Sequence, residues 1–346
     1  MRFSIVIPVY NVERFLAKCL DSALNQSFSD YEIVAVNDGS TDSSRTILSR
    51  YETASTKIKV IDQENKGLGG ARNTGIQHAS GEFLVFLDSD DYIPSSMLEE
   101  IDSYLQKYNL DILAFDCNMV NTSGKILQVA TVADISGEYT TLSKKQFLLL
   151  EPTACLKVYR RSIYMAHAIL FPERLWYEDL ATVLKLVPHA NRLGYLKKPL
   201  YYYVQHEASI THSQNTARML EIITAFDSTL QYYKAHGLLV EFRDELEWNC
   251  ILHVLYYSAF RFLGYDYDRQ DMEKAYHYSK TVFPGWESNK YLAQKKNTRY
   301  LMGVVIHHQY FRFYLKTGFF LRYISPILVK TQKIRGALRG NKAKDS

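Results

Sequence analysis

An α/β fold, with a doubly wound and mostly parallel central sheet followed by a helical C-terminal region, is what this sequence predicts. Three observations predict it. Short apolar runs alternate with helix-period segments over the first hundred residues. Each run ends in polar or turn-forming residues, and from about Thr211 onward the pattern is helical and rich in Tyr and Phe.

Taken in order, residues 3–7 are an apolar run that Pro8 is expected to stop. Val12, Phe15, Leu16, Cys19, Leu20, Ala23 and Leu24 then fall on one helical stripe. Residues 32–36 form the next run, opening into Asn37-Asp38-Gly39-Ser40-Thr41-Asp42, with a helix following to about Tyr51. Residues 58–61 are a third strand and 83–87 a fourth, which ends abruptly in Asp88-Ser89-Asp90-Asp91. Further strands are expected at 112–119 and 192–204, and a helix at 179–187. Val254, Leu255, Tyr257, Phe260 and Phe262 exemplify the later helical pattern. The expected division is a nucleotide-binding domain over 1–212 and a helical region over 213–346. In open parallel sheets ligands bind beyond the carboxyl ends of the strands. The segments Pro8-Val9-Tyr10, Asn37-Asp38-Gly39 and Asp88-Ser89-Asp90 should therefore converge on one crevice.

Composition bounds the class. At 346 residues, 47% hydrophobic and 23% charged, the chain is ordinary for a globular protein. Cys19, Cys117, Cys155 and Cys250 are scattered with no CxxC pair, which fits a reducing compartment and argues against a disulfide scaffold or zinc site. No signal-peptide pattern and no run of eighteen apolar residues is present, so a cytoplasmic protein is expected. The formal charge of +4 is uneven: residues 301–346 hold nine Lys/Arg against Asp345 alone. Ile324, Ile327, Leu328, Ile334 and Leu338 share a stripe there, beside Lys330, Lys333, Arg335 and Arg339. That is the pattern of an interfacial helix on an anionic bilayer, and equally of a solvated basic end. No recognition motif accompanies the charge, so nucleic acid is not expected as a partner.

Asp88-Ser89-Asp90 carries the strongest chemical signal. Alternate carboxylates on a strand-end loop can hold a hard divalent cation that bridges phosphate oxygens. The same residues also suit a helix N-cap loop. Three carboxylates within four residues repel one another without a counter-cation. Asn37-Asp38-Gly39 is a turn by composition, and its carboxylate can accept a pyrimidine N–H. Gly67-Leu68-Gly69-Gly70-Ala71-Arg72 fails the dinucleotide fingerprint, because Arg72 stands where the third Gly belongs. It reads instead as a glycine-rich helix entry with Lys66 and Arg72 aimed at donor phosphates.

These blocks, Ser4-Ile5-Val6-Ile7-Pro8-Val9-Tyr10-Asn11, Asn37 to Asp42, Asn65 to Gly75 and Leu87-Asp88-Ser89-Asp90-Asp91, resemble the family 2 glycosyltransferases in order and spacing. A weaker match continues through Leu156-Lys157-Val158-Tyr159-Arg160-Arg161, Glu178-Asp179 and the stretch to about residue 213. The C-terminal third matches nothing carried over. The resemblance implies a GT-A fold and inverting transfer from a nucleotide sugar, UDP- or dTDP-linked, to a glycan acceptor that is often lipid-linked, in surface-polysaccharide or wall-glycan synthesis. Pro8 and Tyr10 would frame the nucleobase and Asp38 bind the uracil edge. Asp88, with Ser89 beside it, would face the ribose and the metal's water shell, and Asp90 would ligate Mn²⁺ or Mg²⁺. Asp179 would be the catalytic base, with Glu178 and Trp176 meeting the acceptor. His206 would be a third ligand or diphosphate contact. Residue by residue, acids in a first helical turn, a core Trp and a surface His remain open readings of those positions.

A sugar nucleotidylyltransferase lacks its Gly-rich opening here, and an aspartate-nucleophile phosphatase lacks the Thr or Val two residues after its second Asp. A non-catalytic sugar- or nucleotide-binding protein on the same fold is the remaining alternative. An aromatic-rich C-terminal region could also bury a homodimer interface.

Overall fold

Strands β1 (Phe3–Val9), β2 (Tyr31–Asp38), β3 (Ile58–Gln63) and β4 (Phe83–Phe86) form a parallel core in the spatial order β3-β2-β1-β4. They are joined by helices α1 (Glu13–Leu24), α2 (Ser44–Ala54) and α3 (Gly67–His78). The order reverses between β1 and β4, which is the switch point that opens a crevice at the strands' carboxyl ends. Both sheet faces are covered. Ile5, Ile7 and Val9 pack with Leu16, Cys19 and Leu20 of α1, while Val34 and Val36 meet Ala71 of α3 on the other face. Gly75 lets α3 lie directly on Val6, since a Cβ there would stand 2.2 Å from its Cγ1.

The computed structural model describes residues 1–206, 216–258 and 269–294. Pro8 does not stop β1: the strand runs through it to Val9. The carbonyl of Val6 points toward β4 and accepts from Leu87, so Pro8, two residues on, points the same way. The β1–β4 pairing has already ended there, and no neighbour needs the N–H that proline lacks.

Beyond β4 the sheet continues with β8 (Lys157–Arg160), β5 (Ile112–Asn121), β9 (Leu193–Gln205) and β7 (Tyr139–Leu142), with β6 (Ile126–Ala130) paired to β5. β8 runs antiparallel to both β4 and β5, which leaves β5 and β9 parallel to the core. The end of β9 consequently arrives at the same edge as the ends of β1, β2 and β4. The backbones of Tyr92 and Tyr202 bond to each other, tying the loop after β4 to β9.

Helices α4 (Met97–Tyr108), α5 (Lys144–Phe147) and α6 (Arg161–Ala166) precede α7 (Glu178–Leu186), and α8 (Thr216–Met219) precedes α9 (Glu221–Ala235). Helix α7 is covered by α9, whose Thr229 and Tyr233 hydroxyls donate to the carbonyls of Leu180 and Leu184 at 2.8 and 2.7 Å. α9 lies beyond the expected boundary at 212 yet packs within the first of two compact units. The first compact unit runs Met1–Leu246, and the second begins at Glu247. In that second unit a π-helical stretch, Cys250–Tyr257, and the helix Arg269–Val282 meet at Cys250 and Ser279, consistent with the expected helical pattern. Phe260, Phe262 and the basic stripe from Ile324 to Arg339 lie outside the described residues. Among the described residues no helix is long and apolar enough to cross a membrane. All four cysteines are free and buried.

Candidate active site

The loops after β1 and β2 are stapled by capping. Asp42 accepts from Ser44 N–H through Oδ1 and from Glu13 N–H through Oδ2, so one carboxylate caps the starts of both α2 and α1. Burial opposes, but the Ser44 hydroxyl and those backbone bonds hold its carboxyl below the ordinary range. Asn11 Oδ1 accepts the N–H of Thr41, and Ser40 lies against Val9 and Asn11. Pro8 is buried within β1, which leaves Tyr10, 51% exposed, as the surface that end of the strand presents. Asp38 is buried, with Oδ1 accepting from Gln63 Nε2 at 2.6 Å and from Lys66 N–H at 2.7 Å.

The loop after β4 gathers three aspartates at the crevice. Asp91 is buried, and its two oxygens accept from the Tyr201 hydroxyl and the Val204 N–H at 2.8 and 2.7 Å. This bond to the end of β9 sets the position of His206, two residues further on. His206 Nε2 stands 2.9 Å from Asp90 Oδ2, and its ring stacks on Phe15 at 4.5 Å. His206 Nδ1 is buried without a partner among the described residues. Burial, and then repulsion from Asp88, raises the Asp90 carboxyl, while His206 opposes the rise. Asp91 is raised well above its ordinary value by burial and by its two acidic neighbours. Ser89 is buried between them.

The carboxylate oxygens of Asp90 and the ring nitrogen of His206 are donors of a chemistry that a divalent cation accepts. Among the described residues no three acidic, His or Cys side chains are arranged as a complete cage. Magnesium-like ions, however, usually take only one or two protein ligands and complete their shell with water and substrate phosphate.

Arg72 corrects a sequence expectation. It is not aimed at donor phosphates: only 1% exposed, it is spent on three carboxylates. Nη1 donates to Glu178 Oε1 at 2.7 Å and Asp179 Oδ1 at 2.5 Å, and Nη2 donates to Asp88 Oδ1 at 2.9 Å. The reason is its place within α3. Residues 69–73, Gly75 and Ile76 of that helix are all buried, and the guanidinium lies over the rings of Phe86 and Phe171. Lys66 instead stays half-exposed, with Nζ 3.7 Å from Glu173. Asn73 clasps the backbone of Phe171 through both amide atoms, which fixes the segment leading to Glu178.

Glu178 and Asp179 open α7 after Tyr177, whose φ of 64° is left-handed. Burial, then the charge of Asp179, pushes Glu178 up to about 7, with Arg72 opposing. Asp179 is the more accessible of the two side chains, at 22% against 11%. Its Oδ2 accepts from Ala154 N–H at 2.9 Å. Trp176 is half-buried, and Arg218 lies over its ring at 4.7 Å, so that face is not free for a sugar.

The structure thus brings Asp88, Asp90, His206, Glu178 and Asp179 to one edge. Asp91, Asn73 and Ala154 support them and were not legible as site residues. Asp91 carried a local signal in its three-carboxylate cluster, but the other two carried none.

Comparison with known proteins adds an independent line. The model of "Glycosyl transferase family 2" matches residues 4–167. The Bacillus subtilis protein EpsH is 33% identical over 260 residues, covering 72% of this chain and 74% of that protein. The Staphylococcus aureus poly(ribitol-phosphate) beta-N-acetylglucosaminyltransferase TarS is 32% identical over 207 residues, covering 59% of this chain and 35% of that longer one. The crystal structure of TarS residues 1–349 with UDP-GlcNAc superposes with a TM-score of 0.58 at 25% identity, over 71% of this chain and 72% of that one.

Proposed function

The chain belongs to glycosyl transferase family 2, and from that membership we propose that it is an inverting, metal-dependent transferase of a UDP-linked hexosyl or N-acetylhexosaminyl group to a glycan acceptor. The observation that carries the reading is Arg72: one buried guanidinium ties the strand-end Asp88 to the acid pair Glu178-Asp179. Such a knot serves a reaction in which a leaving diphosphate and an attacking hydroxyl must be held in line.

In this reading Tyr10 flanks the nucleobase, Asp38 meets its edge, and Asp88 and Ser89 face the ribose. Lys66 is the remaining cation near the donor. Asp90 and His206 hold Mn²⁺ or Mg²⁺, which when bound stabilises the charge on the departing nucleoside diphosphate. Asp179 takes the proton of the acceptor hydroxyl as that oxygen bonds to the anomeric carbon. The bond from that carbon to the diphosphate oxygen breaks, and its electron pair leaves with the nucleotide. Glu178 and Trp176 line the acceptor side. The UDP-GlcNAc complex of TarS supports a UDP-sugar donor, and the poly(ribitol-phosphate) specificity in that relative's name supports a wall- or surface-glycan acceptor.

The test is a thermal-shift panel of UDP- and dTDP-sugars with and without Mn²⁺. A donor at about a hundred times its Kd stabilises by about 2.7 kcal/mol. One UDP-sugar should raise the melting temperature only with metal, and Asp90→Ala should abolish the increment. If no nucleotide sugar shifts the wild type, a binding module without transfer becomes the better reading.

We place the protein at the inner face of an anionic membrane, where a lipid-linked acceptor would meet it, on the strength of the nine Lys/Arg in residues 301–346. Full-length protein should float with liposomes containing anionic lipid, and a chain truncated at Phe319 should not. Flotation of neither counts against membrane contact.

A further inference from the structure

We propose that Lys157 is a positioning residue for the base: its ammonium holds and polarises the peptide whose N–H donates to Asp179. The inference rests on the reading of Asp179 as base. Lys157 opens β8 and is 1% exposed. Its Nζ donates to the carbonyls of Glu151 and Thr153 at 2.5 and 3.0 Å. The Thr153 carbonyl and the Ala154 N–H belong to one planar peptide and point in opposite directions. The chain of contacts is therefore continuous: ammonium, Thr153 carbonyl, Ala154 N–H, Asp179 Oδ2. Tyr159, on the same strand, donates to the Ala154 carbonyl at 3.2 Å and fixes the other side of that residue.

A buried ammonium is a costly way to tie a turn, because neutral donors can satisfy carbonyls without the desolvation of a charge. That cost shows in Lys157 itself, which burial lowers to about 8 although Asp179, Cys155 and Glu151 oppose the shift. A cation earns its place where it supports a nearby anion. Arg72 is already divided among three carboxylates. The other charged groups facing Asp179 are Glu178 on its own helix and Asp88 across the site, both acidic. Cys155, Tyr159 and Tyr164 complete the surround as protic groups raised by burial. Arg72 meets Oδ1, and the Lys157–peptide chain adds positive potential at Oδ2, since linked hydrogen bonds of this kind polarise one another.

The experiment uses full-length protein, with UDP release from UDP-N-acetylglucosamine followed across pH in wild type, Lys157→Met, Lys157→Gln and Asp179→Asn. The acid limb of kcat/KM reports the base in the free enzyme. Losing the support to the anionic form moves that limb to higher pH, by about one unit in Lys157→Met, which is about tenfold in rate at a fixed pH on the limb. Lys157→Gln keeps donors without charge and should shift less. Donor binding followed by thermal shift should stay near wild type in both. An unmoved acid limb in folded Lys157→Met, with Asp179→Asn inactive, overturns this proposal alone. Turnover surviving Asp179→Asn overturns the base assignment and this proposal with it. Should neither lysine variant fold, wild-type amide exchange decides: the Ala154 N–H should be strongly protected, and exchange at a loop-like rate overturns the proposal.

Discussion

Asp179→Asn should lower sugar transfer by roughly a hundred- to ten-thousand-fold while leaving metal-dependent donor binding intact. The amide is isosteric with the carboxylate but cannot hold the acceptor's proton. It also cannot accept at both ends. One oxygen now accepts from Arg72 Nη1 and the other from Ala154 N–H, so an amide NH₂ must face one of those donors. That lost contact costs on the order of 1 kcal/mol, partly offset because one of three carboxylates crowded around a single guanidinium becomes neutral. Glu178 supplies an internal check. Asp179 is the second cause of its elevation to about 7, so Glu178 should titrate lower in the variant. Glu178→Gln discriminates between the two acids: if Glu178 were the base, Glu178→Gln would be the inactive variant and Asp179→Asn would keep most of its rate. The measurement is kcat at saturating donor for both, and a kcat for Asp179→Asn within tenfold of wild type removes Asp179 from the base role.

Much of this arrangement was legible locally. The strands β1, β2 and β4 read as continuous apolar runs because helices or strands cover both faces, so no polar alternation interrupts them. The polar ends of those runs marked the crevice, since parallel strands must place their carboxyl ends on one edge. Proline was misjudged at position 8 because its effect depends on whether a neighbouring strand needs the N–H, which is a tertiary fact. β6, β7 and β8 are five residues or fewer and too short for periodicity to register. Helical spacing in α9 reveals an apolar face without naming the core it joins, and that core is α7.

Within the site, legibility divides by sequence distance. The Asp88-Ser89-Asp90-Asp91 cluster is contiguous, and its mutual repulsion can be foreseen from the sequence. Arg72 finds Glu178 and Asp179 more than a hundred positions away, and a basic residue in a glycine-rich helix entry reads equally well as a phosphate ligand. No local signal told against that, since nearly all of α3 around the arginine is buried only by the fold. Lys157 carried none: in Leu156-Lys157-Val158-Tyr159 it looks like a strand's solvent-facing residue. Only the folded turn at 151–154 makes it internal.

That difference in reading makes Arg72→Met the most informative stability experiment. A phosphate ligand lost from the surface would raise the donor's KM and leave the unliganded protein as stable as before. A buried cation lost from among three carboxylates should instead destabilise by about 3–5 kcal/mol, a large share of the roughly 5–15 kcal/mol that holds a domain together. The deficit should depend on pH with a definite sign. Glu178 already titrates near 7 in the fold, and Arg72 is a cause that lowers it, so removing the arginine raises Glu178 further above its unfolded value near 4.3. From about pH 4.5 up to that raised value the native state then binds more protons than the unfolded one, so stability falls as pH rises. Urea unfolding should show a smaller gap between Arg72→Met and wild type at pH 5 than at pH 8. Arg72→Lys should recover only part of it, because an ammonium keeps the charge but not the fork that reaches three partners at once. Equal stability of Arg72→Met and wild type at pH 8, or a gap that widens in acid, would show that the guanidinium is not what restrains these carboxylates.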